Sequence, residues 1–155
     1  MPQQPLSNIK ALSLMHFSLL FGQVIFAGIP VYLIYTGAFT PVIENKEILS
    51  MVVPGAIGWS VAFVMLAFSN YKKKVAAIRM NEESLSDKLI AYRAANIIRW
   101  AILEVPVLST IVCFLMTGLP VLIFSVAAFL LIFLYAKPSA YKVAQELSIS
   151  EVYVV

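Results

Sequence analysis

The chain has 155 residues, 61% of them hydrophobic and 12% charged, with a formal net charge of +3. A soluble domain carries about a quarter charged residues, so a chain this apolar cannot clothe a core in polar surface, and the composition argues against a water-soluble domain. The positive excess lies beside apolar runs, which makes it a topology signal and not a nucleic-acid footprint. The lone cysteine, Cys113, excludes an internal disulfide and leaves no metal-type Cys/His spacing.

In chain order, the first apolar stretch covers residues 11–35, preceded by Lys10. Its length of about 25 residues exceeds the roughly 7–15 of a signal-peptide core, so a retained span is expected. A short polar segment with Pro41, Glu44, Asn45, Lys46 and Glu47 leads to a second, uncharged stretch at 48–68. The most charged segment follows, with Lys72, Lys73, Lys74, Arg79, Glu82, Glu83, Asp87, Lys88 and Arg93. Ser84 followed by Asp87 has the spacing of a capping box, and Leu85, Leu89 and Tyr92 recur at helical spacing. Helices 2 and 3 are therefore expected to run long and meet at a tight turn near Asn81-Glu82-Glu83.

The third span, 94–116, carries Arg99 and Glu104. Thr117-Gly118-Leu119-Pro120 reads as a turn, with Gly ending one helix and Pro starting the next. The fourth span, 119–136, is short for a crossing and stops at Lys137-Pro138-Ser139. Ser139 is placed to cap a short helix reaching Leu147, and Ser148 or Ser150 to start a further turn. The apolar end Val152-Tyr153-Val154-Val155 fits a frayed or membrane-resting terminus, or a peptide captured by its carboxylate.

The fold class expected is all-α: an integral membrane four-helix bundle with kinked helices. Residues 1–136 form the transmembrane domain and 137–155 a cytoplasmic tail. Lysine and arginine flank one side of every span, and only Lys46 lies on the other. The positive-inside rule puts both termini and the hairpin turn in the cytoplasm. Tyr32, Tyr35, Trp59 and Tyr135 are candidate interfacial anchors. Lys72, Lys73, Lys74, Arg79, Arg93 and Arg99 are candidates for lipid-headgroup or docking contacts, Arg99 by snorkelling to phosphate.

Glu104 is the residue most suggestive of chemistry. It lies about ten positions past Arg93, roughly 15 Å into a hydrocarbon layer about 30 Å thick. An acid there costs several kcal/mol unless paired or protonated. Pro106 frees the carbonyl of Ile102 nearby. A carboxyl group with a freed carbonyl suits a cation or proton site; the same carboxyl, protonated, also serves as packing glue between helices. Arg99 stands about 140° round the helix from Glu104, which disfavours an ion pair.

His16 and Gln23, seven apart, share one face of the first span with Ser13, at depths that bracket Glu104. A His16–Glu104–Gln23 cluster is one candidate proton relay or a static hydrogen-bond set. Pro30, Pro54 and Pro106 are candidate kinks, and Pro54-Gly55, Gly58 and Ser60 leave room for another backbone. No nucleophile with a base partner is evident, and no cofactor or enzymatic activity is expected.

The run Tyr92-Arg93-Ala94-Ala95-Asn96-Ile97-Ile98-Arg99-Trp100-Ala101-Ile102-Leu103-Glu104, with the ending Lys137-Pro138-Ser139 and a short helix, resembles a bacterial family of small four-helix inner-membrane proteins without assigned activity. Residues 53–118 also resemble the hairpin of the proteolipid c subunit of rotary ATP synthases. That likeness implies that Glu104 matches the ion-carrying acid, with Pro106 close behind. The chain departs from it where the glycine-repeat helix keeps only Gly55 and Gly58, interrupted by Trp59 and Phe63. The expected function is non-enzymatic: an accessory subunit of a bacterial inner-membrane complex, or a homo-oligomer, with ion translocation through Glu104 as the alternative. The expected partners are the lipid bilayer and other membrane subunits or further copies of the chain, not nucleic acid.

Overall fold

A computed structural model describes residues 4–149, with side chains from Ile9 onward. Ser150 and the run Val152-Tyr153-Val154-Val155, on which a further turn and the fate of the terminus were expected to rest, lie outside the described residues. Within them the chain is all-helical: α1 Gln4–Tyr35, α2 Lys46–Met80, α3 Leu85–Thr117, α4 Pro120–Tyr135 and α5 Ala140–Leu147.

Local chemistry sets each boundary. The Asn45 side chain accepts from the Glu47 amide at 2.9 Å and starts α2. Ser84 accepts from the Asp87 amide at 3.3 Å and starts α3, in the predicted capping position. Gly118 ends α3 in the left-handed region at φ 66°, and Pro120 opens α4 at a position where its missing amide costs nothing. Ser139 accepts from the Lys142 amide at 3.2 Å and starts α5. Pro30, Pro54 and Pro106 each lie inside an unbroken helix.

Three helices are long and apolar enough to cross a membrane; α4 joins them only when taken together with α5, across a bend of 69°. At about 1.5 Å per residue, α2 and α3 each exceed the roughly 30 Å of a hydrocarbon core. They pair along their length as the expected hairpin, and α1, α2 and α4 all pack against α3. The hairpin runs on past the end of α4, and α5 lies against α2 there, with Val143, Ala144 and Leu147 turned inward.

The distribution of side chains is inverted relative to a soluble bundle. His16, Gln23, Ser60, Asn96, Arg99 and Thr110 are buried, whereas Phe17, Phe21, Phe26, Phe124 and Leu131 are exposed. A wall of that kind is costly against water and carries no penalty against hydrocarbon. Ser60 bonds Thr110 at 3.2 Å and ties α2 to α3, but Gly55 and Gly58 have no atom within 4 Å of an added Cβ. The close backbone approach expected at those two glycines is therefore absent within the described chain; they face outward.

The loop between α1 and α2 is docked onto the α3–α4 turn. The amides of Val42 and Ile43 both bond the Met116 carbonyl at 3.0 Å. Pro41 lies so close to Gly118 that a Cβ there would sit 2.6 Å from Pro41 Cγ. Gly37 has a similar left-handed backbone, φ +73°, but open space around it. Gly37→Ala is expected to cost about 1–2 kcal/mol of backbone strain. Gly118→Ala should cost a further 1–3 kcal/mol from overpacking. Thermal unfolding in detergent checks the ranking, which equal shifts in the two variants contradict.

Candidate functional site

The site is built around the end of α4. A helix leaves its last four carbonyls without intrahelical partners, and in an apolar setting each needs a donor. His16 Nε2 meets the Phe133 carbonyl at 2.9 Å. A carbonyl only accepts, so Nε2 carries the proton and buried Nδ1 is left as an unpartnered acceptor. Lys142 Nζ donates to the carbonyls of Tyr135 at 2.9 Å and Lys137 at 3.3 Å. Arg99 donates to the Ala136 carbonyl at 2.6 Å, and Trp100 Nε1 reaches the same oxygen at 3.3 Å. Donors from α1, α3 and α5 thus converge on one helix end.

Arg99 is only 7% exposed, which differs from the expected snorkelling to lipid phosphate. Its side chain turns inward because Asn96 Oδ1 accepts at 2.7 Å and the Tyr71 ring offers its face, with the guanidinium carbon 3.8 Å from the ring centroid. The other cations expected at headgroups stay outside: Lys72, Lys73 and Arg79 are exposed, and Lys74 and Arg93 are half-buried.

Tyr71 carries the arrangement onward. Its hydroxyl lies 2.5 Å from Glu146 Oε2 and 3.0 Å from the Tyr92 hydroxyl, which lies 2.7 Å from the same carboxylate oxygen. Two hydroxyl protons serve at most two of these three contacts, and the two shorter ones, both to the charged acceptor, take them. Tyr71 and Tyr92 lie just beyond the apolar segments 48–68 and 94–116. Burial pushes the Tyr71 phenol up to about 12, with the hydrogen bond to Glu146 acting the same way and the Arg99 charge opposing it. Burial raises the Tyr92 phenol as well.

Between these groups lies a cavity of about 280 Å³, whose lining includes Lys72, Arg99, Lys137, Lys142 and Glu146. A shallower one of about 200 Å³ lies on the other side of Glu146, toward Arg79. The Arg99 Nε is buried and has no hydrogen-bond partner.

The three residues expected to cluster, His16, Glu104 and Gln23, are not hydrogen-bonded to one another among the described residues. His16 and Gln23 do share the inward face of α1, both at most 2% exposed. His16 serves α4, stacking on Phe133 at 4.9 Å and packing on Trp100 at 5.0 Å. Both amide atoms of Gln23 are buried without a partner. Glu104 is half-buried, between buried Leu103 and exposed Leu108 on the flank of α3. Tyr71, Tyr92, Glu146 and Lys142 were missed as site residues. One signal existed: Tyr71 and Tyr92 stand about ten residues either side of Asn81-Glu82, so an antiparallel hairpin brings them face to face.

Glu146→Ala removes the acceptor shared by two buried hydroxyls, at a cost of about 1–3 kcal/mol. Loosened docking of α5 should raise tryptic cleavage after Lys142 by roughly tenfold; unchanged cleavage in Glu146→Ala contradicts the arrangement. The folded Tyr71 pKa lies above its unfolded value near 10.0. Its contribution is then complete below pH 10 and is lost as pH rises through about 12. Helix content followed by circular dichroism should hold across neutral pH and fall in that alkaline window, less steeply in Tyr71→Phe.

Comparison with protein-family models, with curated proteins and with solved structures finds no match, so the function rests on the chain's own residues.

Proposed function

We propose that this chain is a non-enzymatic integral membrane protein that crosses a bacterial inner membrane four times. It acts through helix–helix contacts, as an accessory subunit of a larger membrane complex or as a homo-oligomer. The observation that carries this reading is Glu104. It lies at the middle of the long apolar α3, half-buried, and no group among the described residues bonds it. A carboxyl group facing lipid at that depth costs several kcal/mol, and a donor from another chain relieves the cost. Gly55 and Gly58 support the reading, since both open outward with room for a neighbouring helix.

The short α4 fits a crossing in part because its last carbonyls find donors in the chain itself. Side chains from three other helices reach its terminal carbonyls, those of His16 and Arg99 inside the bundle and that of Lys142 at its exposed edge. In this reading both termini and the α2–α3 turn face the cytoplasm, on the side rich in lysine and arginine. The buried titratable groups His16, Tyr71 and Tyr92 are engaged in capping α4 and docking α5, which supports a structural role over a catalytic one.

A second reading draws on the same residue. An acid half-exposed on the wall of a bundle, two positions before a helix-internal proline, suits a carboxyl group that loads and unloads a proton or cation as a partner surface passes. It agrees with the likeness of residues 53–118 to the proteolipid c subunit hairpin.

Mild detergent extraction of native membranes, followed by intact-complex mass, is expected to give a stoichiometric foreign partner or a defined homo-oligomer. Glu104→Leu should lower the share of assembled protein roughly tenfold, the equivalent of about 1.4 kcal/mol. A monomer that transports a solute unaided overturns the first reading. A hydrophobic carbodiimide separates the second: modification of Glu104 that sodium or high pH prevents supports ion carriage. Full function in Glu104→Gln refutes it.

A further inference from the structure

The geometry points to the cavity at the end of α4 as a binding site for a negatively charged phosphate ester, the headgroup of an anionic phospholipid. Its walls carry four cationic side chains, Lys72, Arg99, Lys137 and Lys142, against the single carboxylate of Glu146. That carboxylate already accepts hydrogen bonds from Tyr71 and Tyr92 and forms no ion pair among the described residues. The cavity therefore keeps a strong positive excess within a space of about 280 Å³, where low dielectric strengthens each charge.

Arg99 makes this a built site and not a patch of surface lysines. The guanidinium is 7% exposed, fixed by Asn96, the Ala136 carbonyl and the Tyr71 ring, and its buried Nε has no partner. A buried guanidinium without a counter-anion is costly, and a phosphate oxygen in the cavity offsets that cost with a charge-assisted hydrogen bond. Lys137 and Lys142 stand at the rim, each against an aromatic ring: Lys137 Nζ is 4.6 Å from the Phe17 centroid and Lys142 Nζ 4.7 Å from that of Tyr135.

The surroundings favour a lipid over a free phosphate. Two helices that wall the cavity lead away from it with exposed apolar side chains, Leu131 and Leu134 on α4, Met65 and Leu66 on α2. A ligand with a phosphate head and acyl tails matches both parts. The inference requires only that the chain lie in a bilayer, not that it join any particular assembly. Its failure therefore leaves the subunit reading standing.

The test uses the full chain in detergent, with native mass spectrometry of retained phosphatidylglycerol and phosphatidylcholine. Lys72 and Lys137 form no hydrogen bonds through their ammonium groups among the described residues, so Lys72→Gln/Lys137→Gln should fold, as an unchanged melting temperature would verify. Lys10→Gln/Lys73→Gln removes equal charge outside the cavity. The wild type should retain phosphatidylglycerol over phosphatidylcholine by on the order of tenfold, with the preference lost in the cavity variant and kept in the control. Equal retention of the two lipids, or equal loss in both variants, overturns the site. Displacement of bound phosphatidylglycerol by millimolar glycerol 3-phosphate, absent in the cavity variant, supports the phosphate chemistry, whereas binding of glycerol 3-phosphate with no phospholipid retained overturns the bilayer as its source.

Discussion

The arrangement depends on the carbonyls at the end of α4, on which donors from three other helices converge. The helix has 16 residues; amides of its own closing turn reach the carbonyls of Ile132, Phe133 and Leu134, and those of Tyr135 and Ala136 are left to other elements. His16 from α1, Arg99 and Trp100 from α3, and Lys142 from α5 supply the donors. Each of these side chains is long or aromatic, so each also fixes the position of the helix it comes from. One set of backbone oxygens thereby sets the mutual placement of four helices. It also explains why so apolar a chain buries a histidine and an arginine at one end.

That requirement divides the polar groups into two populations. Those near the end of α4 are each engaged through at least one atom, with His16 Nδ1 and Arg99 Nε left over, and they form a network reaching from Ala136 through Arg99 and Tyr71 to Glu146. Those farther along, Glu104 and Gln23, lack partners among the described residues. The first population holds the molecule together and shapes a cationic cavity. Of the second, Gln23 is enclosed on the inward face of α1, whereas half-buried Glu104 on the flank of α3 is the group on which the proposal of a partner chain rests.

Much of the fold was legible in the sequence because it rests on local rules. The caps at Ser84 and Ser139, the glycine end at Gly118 and the proline start at Pro120 all follow from short-range chemistry, and the boundaries they imply match the helices formed. The shared face of His16 and Gln23 follows from helical periodicity in the same way. The partners of these faces were not legible. The sequence offered His16 a carboxylate at matching depth, whereas the structure gives it the carbonyl of Phe133, a backbone atom that no residue pattern announces. Arg99 was read as a lone side chain on a lone helix, for which snorkelling is the cheapest course; an aromatic face and a bare carbonyl inside the bundle reverse that preference. Gly55 and Gly58 mark room for a backbone, but not on which side the backbone lies.

The docked loop between α1 and α2 bears on how the chain is assembled. Val42 and Ile43 are held by Met116, and Pro41 by the bare Cα of Gly118, nearly half the chain away. When the first two helices leave the ribosome, the surface that this loop needs does not yet exist. The early half must wait, with its connecting segment undocked, until α3 has formed and turned into α4. Docking of the loop is thus a return of a later-made turn to an early-made segment. Contacts so distant in sequence make it slow relative to forming the helices themselves.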